Sequence, residues 1–291
     1  MKYFTLLFVF ALLFSSCGAP LASFQYGDGQ LTAPDAIQFE NASKKADEYE
    51  WNFGDGTTSK EEQPTHRFRE SGNYTVTLKA KKGSKENITK KTIQVEAPKE
   101  CMVILDTDYG SMYIELFNDT PLHRDNFLKL IEEGYYEDLL FHRVIEGFML
   151  QGGDPNSRNA PQGARLGNGG PDYKVPAEIT PNRVHFRGAL AAARDNNPEK
   201  ASSGSQFYIV QGRKTTEEEL KKNAQRNGIR YSKDILAKYV EVGGASQLDN
   251  EYTVFGQVIE GLDVIDKIAA LEKDKNDRPK ENVKMKLSVV Y

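Results

Sequence analysis

The densest set of residues suited to chemistry lies in the stretch Phe141–Asp154. Arg143 is followed closely by Phe148 and Met149, and Gln151 comes two residues after Met149, so the side chains of Met149 and Gln151 share a face if this stretch is a strand. A guanidinium stays charged at any cellular pH, and here it would be a hydrogen-bond donor beside an apolar surface. Taken alone, the same residues also fit a salt-bridge arginine with two core side chains.

Two later stretches have a similar composition. In Ser203–Ile209, Gln206 and the aromatic Tyr208 are again two residues apart, and Leu248–Gly256 combines apolar residues with Tyr252. Together the three stretches resemble a cyclophilin-type peptidyl-prolyl cis-trans isomerase. Because all three stretches occur in one chain, we favour a functional role for Arg143 over a salt bridge.

The resemblance covers nearly all of residues 101–291 outside a charged insertion at about 213–246. It implies a closed antiparallel β-barrel of eight strands, capped by two helices, with a substrate groove on the outer face. Arg143 matches the family's catalytic arginine. The substrate-binding positions match Phe148, Met149, Tyr208 and Leu248 in the walls of a proline pocket, Gln151 and Gln206 as polar groups that hold the peptide, Ala193 and Arg194 in a segment whose backbone anchors it, and Tyr252, where the family often has histidine.

Isomerisation explains why such residues would be needed. A tertiary X-Pro amide has a rotation barrier of ~18–20 kcal/mol, and twisting it gives the prolyl nitrogen a lone pair that a guanidinium can hydrogen-bond. No covalent chemistry is involved, so we expect no cofactor. The four histidines and two cysteines show no metal-ligand spacing, so we expect no metal.

Gln247 and His142 lie next to predicted site residues in the sequence. Gln247 stands where many cyclophilins have a groove tryptophan, which predicts weak or no inhibition by cyclosporin. Strand alternation places His142 on the face opposite Arg143, so we assign His142 a structural role.

Periodic patterns predict the elements that position these residues. Apolar alternation predicts a hairpin over residues 103–116, and a helix begins at Thr120-Pro121. A second amphipathic helix is predicted near Leu262–Leu271, and a final strand from Val283 to Val289. In the insertion, capping patterns at Thr216 and Ser232 predict two short helices, which are more typical of a surface elaboration than of a site.

Residues 23–97 have a different pattern. Short stretches of period-2 alternation separated by turn residues predict a β-sandwich. The motif Trp51–Gly56, with residues 64–68 and 72–76, resembles a PKD domain, an immunoglobulin-like module that implies a spacer or a weak binder of protein or polysaccharide. We interpret Asp55 as a turn residue and Trp51 as core; the alternatives are a calcium site at Asp55 and a sugar-stacking surface at Trp51.

The N-terminus predicts export. Residues 1–16 combine a basic start with an apolar run too short to span a bilayer, which is typical of a signal peptide. Small residues before Cys17 resemble a lipobox, in which Cys17 becomes the lipidated N-terminus, with residues 17–22 as a tether and 98–100 as an interdomain linker. We therefore expect a lipid-anchored protein of the bacterial cell envelope, on the periplasmic face of the outer membrane; an ordinary signal peptide is the alternative.

The expected function is isomerisation that assists the folding of extracytoplasmic proteins. The expected partners are proline-containing peptides, folding envelope proteins, the membrane through the anchor, and a polysaccharide or protein partner of the PKD domain. Net charge is -4 with both signs mixed, which argues against nucleic acid as a partner. Two rival interpretations remain open: a proline-peptide-binding chaperone or scaffold with incidental catalysis, and a protein whose PKD domain carries the main function.

Overall fold

The computed structural model describes residues 18–27, 29–69, 71–96, 99 and 101–291. The chain divides into two compact units, Met1–Ala97 and Pro98–Tyr291. The predicted signal peptide and Cys17 lie outside the described residues, as do two of the three predicted linker residues. Within the described ranges, none of the helices is both long and apolar enough to cross a membrane.

The N-terminal unit is built from two sheets. Its strands are β1 (Phe24–Tyr26), β2 (Leu31–Thr32), β3 (Ala36–Asn41), β4 (Glu48–Asn52), β5 (Thr58–Ser59), β6 (Thr65–Arg67), β7 (Gly72–Lys82) and β8 (Lys85–Glu96). One sheet has the order β1-β3-β6 and the other β2-β8-β7-β4-β5, with β2 parallel to β8. The fold is the predicted immunoglobulin-like sandwich.

Trp51 lies in the core between these sheets, with 1% of its surface exposed. Its ring packs at 5.2 Å from Phe24 and 5.6 Å from Phe39 of the opposite sheet, and Nε1 donates to the carbonyl of Glu61. The indole face is therefore not available to stack on a sugar. Asp55 has the predicted turn geometry, because Oδ1 accepts from both the backbone N and the Oγ1 of Thr57.

The second unit contains an eight-stranded antiparallel sheet that curls into a barrel. The strands of the whole unit, eight in this sheet and two outside it, are β9 (Met102–Thr107), β10 (Gly110–Leu116), β11 (Arg143–Ile145), β12 (Met149–Gly152), β13 (Lys174–Val175), β14 (Ala189–Ala192), β15 (Ser202–Ser203), β16 (Phe207–Val210), β17 (Val254–Glu260) and β18 (Lys286–Val290). The order is β11-β12-β16-β14-β17-β10-β9-β18, and β13 pairs separately with β15.

Backbone bonds close the barrel beside its two edge strands. Phe141 N donates to Val283 O at 3.0 Å, and Met285 N donates to Leu139 O at 2.9 Å. The last strand was predicted to begin at Val283, but β18 begins at Lys286. Val283 and Met285, which precede β18, bond instead to Phe141 and Leu139, which precede β11. The apolar alternation of one strand does not show which segment that strand will bond to.

Four helices complete this unit: α1 (Pro121–Glu132), α2 (Glu217–Asn227), α3 (Lys233–Val242) and α4 (Leu262–Ala269). Helices α1 and α4 bury their apolar faces in the barrel core, through residues such as Phe127 and Ile265. The two insertion helices begin at the predicted caps, because Thr216 Oγ1 accepts from Glu219 N and Ser232 Oγ accepts from Ile235 N.

Candidate active site

A cavity of about 180 Å³ opens on the outer face of the barrel. Nine of the ten predicted site residues line it: Arg143, Phe148, Met149, Gln151, Ala193, Arg194, Tyr208, Leu248 and Tyr252. The tenth, Gln206, lies directly behind the lining. Residues from four separate segments of the chain thus meet at one site.

Strand register explains why the polar residues meet. Arg143 on β11 pairs with Gln151 on β12, and Gln151 pairs in turn with Tyr208 on β16. Residues opposite each other in adjacent strands point to the same face of a sheet. Arginine, glutamine and tyrosine therefore form one row across three strands, and this row runs along the pocket.

Arg143 is on the edge strand, with its side chain 44% exposed. Its Nε lies 3.7 Å from Asp277 Oδ2, and within the described residues the guanidinium makes no other ion pair or hydrogen bond. Arg143 also lines the cavity, so its remaining donors are available to a ligand bound there. His142 is buried, as its predicted structural role requires.

One side of the cavity is apolar. Met149 and Tyr208 are buried and pack with Ala189, Ala191 and Val210 of the strands beneath. The more exposed Phe148 and Leu248 pack against this cluster from the rim, with Tyr252. The pocket is therefore large enough and apolar enough for a small ring, with a cationic donor at its edge.

Gln206 acts on the pocket through Gln151. Its Oε1 accepts from Gln151 Nε2 at 3.1 Å, and its own Nε2 donates to the carbonyls of Gly167 and Gly169 at 3.0 and 2.7 Å. Both amide hydrogens of Gln206 are thereby used inside the protein. The geometry makes Gln206 a residue that orients Gln151.

Ala193 and Arg194, which were predicted to anchor the peptide backbone, differ in their backbone hydrogen bonds. Ala193 N donates to Gln206 O, and Ala193 O accepts from Ser203 N. No backbone hydrogen bond of Arg194 is found among the described residues, so its N–H and C=O are available to bond a peptide at the pocket. The Arg194 side chain is also fixed, because its guanidinium lies 4.8 Å from the Tyr252 ring centroid and bonds to Glu251.

Sequence reasoning missed the partners of the Tyr208 hydroxyl. His185 Nε2 lies 2.9 Å from Tyr208 Oη, and His185 Nδ1 lies 2.7 Å from Asp249 Oδ1. Burial raises the pKa of Tyr208 well above its usual range, so the phenol stays protonated. The only signal in the sequence was the position of Asp249 beside Leu248. Among the described residues, no group of three or more His, Cys, Asp and Glu side chains could hold a metal ion.

Comparison with known proteins gives two domain matches. Residues 102–290 match the family described as cyclophilin type peptidyl-prolyl cis-trans isomerase/CLD, and residues 17–97 match the PKD domain. The first match covers well over half of the chain.

Relatives and solved structures are similar to the second unit. A putative peptidyl-prolyl cis-trans isomerase of Staphylococcus saprophyticus is 36% identical over 188 residues, which are 63% of this chain and 88% of that protein. A putative bifunctional phosphatase/peptidyl-prolyl cis-trans isomerase of Streptococcus pyogenes is 39% identical over 184 residues, 62% of this chain but only 37% of that protein. A cyclophilin-type isomerase structure from Cryptosporidium parvum is 26% identical with a TM-score of 0.48, covering 65% of this chain and 97% of that one.

Proposed function

The chain belongs to the cyclophilin-type peptidyl-prolyl cis-trans isomerase family, and from this premise we propose that Arg143 accelerates X-Pro isomerisation in the pocket between Phe148, Met149 and Leu248. The observation that carries the proposal is the row of Arg143, Gln151 and Tyr208 across three strands, with the guanidinium at the edge of an apolar cavity. A bound proline ring would fill the cavity and bring its nitrogen towards the guanidinium.

The energetics require two contributions. Lowering a turnover time of tens of seconds to milliseconds is about 10⁴-fold, or ~5–6 kcal/mol. One charge-assisted hydrogen bond from Arg143 to the twisted prolyl nitrogen supplies roughly 1.5–3 kcal/mol. The apolar walls supply the remainder, because the planar amide is more dipolar than the twisted one and loses more when water is excluded.

The decisive experiment is NMR measurement of cis/trans exchange in an Ala-Pro peptide with the full chain. Wild type should accelerate exchange, and Arg143→Ala should remove most of that acceleration while peptide affinity changes little. Arg124→Ala is the matched control, because Arg124 is also a partly exposed arginine paired with an acid, Asp125, but does not line the pocket. Binding without acceleration by wild type would overturn catalysis and favour the proline-peptide-binding chaperone.

We further propose that the reaction serves folding proteins of the bacterial envelope, with the chain anchored by a lipid on Cys17 at the periplasmic face of the outer membrane. The support is the short apolar run of residues 3–14, the small residues before Cys17 and the tether after it. The PKD domain would then act as a spacer or would bind envelope polysaccharide or protein.

Labelling cells with a radioactive fatty acid tests the anchor. The wild-type chain should incorporate label and fractionate with outer membranes, and Cys17→Ser should do neither. Label in the Cys17→Ser chain, or loss of the protein from intact cells treated with protease, would contradict the assignment. Glycan pull-down with the full chain tests the PKD domain: recovery of envelope polysaccharide would support a binding role, and an empty result would count against it.

A further inference from the structure

A buried hydrogen-bonded chain runs from the pocket into the protein. It begins at the Tyr208 hydroxyl, 2.9 Å from His185 Nε2, and continues from His185 Nδ1 to Asp249 Oδ1 at 2.7 Å. The backbone N of His185 donates to the same Asp249 oxygen at 2.8 Å, and both side chains are fully buried. Because a carboxylate oxygen only accepts, His185 Nδ1 donates to Asp249, and Nε2 on the other side of the ring bonds the Tyr208 hydroxyl.

Two tyrosines of the helical insertion hold the other carboxylate oxygen. Asp249 Oδ2 accepts from Tyr231 Oη at 2.5 Å and from Tyr239 Oη at 2.6 Å. Tyr239 is on α3, and Tyr231 lies in the connection between α2 and α3. Burial and the negative charge of Asp249 raise the pKa of both phenols, so both remain donors. The buried carboxylate thus receives four hydrogen bonds, as an ion without solvent requires.

The same insertion also fixes the turn that carries Leu248. Asn227, the last residue of α2, donates to the carbonyls of Gln247 and Asp249 at 3.0 and 2.9 Å. On the turn's other side, Asn223 of α2 donates to Ser246 Oγ at 2.9 Å in a buried bond. Leu248 therefore reaches the pocket from a short 3-10 turn that α2 bonds at both its first residue and its end.

We propose that the two-helix insertion at about 213–246 is a positioning element of the proline pocket, in which Tyr231 and Tyr239 act through Asp249 on two pocket walls, Tyr208 and Leu248. The insertion is then part of how the site binds its substrate, and not a surface elaboration as the sequence suggested. The inference rests on the proposed function, since it concerns the same pocket.

The expected effect is on binding more than on the chemical step. Without the two hydroxyls, Asp249 Oδ2 would be buried with no side-chain donor, and the carboxylate would shift towards water or other donors. Phe148 and Met149 make no bond to the Asp249 network, so these two walls would still exclude water from the amide. A displaced Tyr208 and Leu248 would hold the proline ring less well in the planar and the twisted amide alike, which raises KM much more than it lowers kcat.

The test compares Tyr231→Phe, Tyr239→Phe and the double variant in the full chain. The readouts are peptide affinity, from NMR titration with the Ala-Pro peptide, and exchange rate at saturating peptide. The matched control is Tyr291→Phe, which also removes a tyrosine hydroxyl bonded to a carboxylate, that of Glu132, away from the pocket. All measurements are made well below each variant's melting temperature, so that a change in stability alone leaves the readouts unmoved.

The proposal predicts an affinity loss of about tenfold in the double variant, smaller losses in the single ones, and exchange at saturation within about threefold of wild type. The proposal would be overturned if every folded variant of Tyr231 and Tyr239 bound the peptide as tightly as wild type, or if Tyr291→Phe lost as much affinity as they do. If the double variant does not fold, the affinities of the two single variants decide. If wild type itself does not accelerate exchange, the proposed function fails, but the affinities still decide whether the insertion positions the pocket.

Discussion

Arg143 Nε lies 3.7 Å from Asp277 Oδ2, and the neighbouring Val144 N donates to the Asp277 carbonyl at 2.8 Å. The loop between α4 and β18 therefore contacts the strand that carries the arginine at both backbone and side chain. The two side chains are about half exposed, so their ion pair is weak and screened by solvent. The backbone bond, rather than the carboxylate, fixes the loop.

Replacing Asp277 should consequently have little effect on catalysis. Asn is the suitable substitution, because Asp277 has φ of 60°, a left-handed conformation that Asn tolerates. We expect Asp277→Asn to change kcat/KM by no more than about threefold, since an exposed pair contributes ~0–1 kcal/mol. A loss above tenfold in the NMR exchange assay would instead make Asp277 a residue that orients Arg143.

Gln206→Glu should damage both stability and binding. The introduced carboxylate would face the carbonyls of Gly167 and Gly169, which now accept from the Gln206 amide. We expect the free energy of unfolding at pH 7 to fall by about 3 kcal/mol, because buried acceptors would meet without a donor. KM should rise several-fold as Gln151 loses its fixed orientation.

Urea unfolding and the peptide titration check this pair of effects. The control is Gln225→Glu, the same change on the exposed surface of α2. An unchanged KM in a destabilised Gln206→Glu protein would show that Gln151 does not depend on Gln206. Recovery of stability at lower pH is also expected, since the protonated carboxyl can donate to one carbonyl.

Cyclosporin should inhibit wild type weakly, and Gln247→Trp should strengthen inhibition. The Gln247 side chain is exposed, and its backbone carbonyl accepts from the side chains of Asn227 and Arg226. An indole there could bury apolar surface against the inhibitor at ~25 cal/mol per Å², enough for tenfold or more. Inhibition constants from the exchange assay test this, with Gln225→Trp as control. Sub-micromolar inhibition of wild type would contradict the first expectation.

Local patterns in the sequence predicted most elements of the fold, because strand alternation, helix caps and turn residues act over a few positions. The sandwich strands, the hairpin β9–β10 and the caps of α2 and α3 are of this kind. The pocket residues were identified through family resemblance, and strand register then explains why they meet.

The features that the sequence did not predict depend on contacts between segments that are far apart in the chain. His185 and Asp249 are 64 positions apart, and nothing in the sequence around either residue specifies the other. The same holds for the bonds of Leu139 and Phe141 to Met285 and Val283, which close the barrel. The insertion looked like a surface elaboration because its helices are charged. Two tyrosines and two asparagines connect it to the site, and the charged pattern does not mark these four residues as inward-facing.

The buried His142 should make stability depend on pH. Burial lowers its pKa from 6.5 to about 4, and neither ring nitrogen has a hydrogen-bond partner among the described residues. Between these values the unfolded chain binds a proton that the folded chain does not, so the free energy of unfolding falls as pH falls. The full effect of this one group is ~3 kcal/mol, fully felt only below about pH 4.

His142→Leu isolates the contribution, because leucine cannot titrate and leaves no buried N–H without a partner. Urea unfolding of wild type and variant at pH 7.5 and pH 5 should show a smaller loss on acidification in the variant. The lowered pKa of the buried His123 acts in the same direction and remains in both proteins, so the difference between them reports His142 alone. Equal losses in the two proteins would mean that His142 is protonated in the folded state at pH 5, with its positive charge held by a partner such as Asp154.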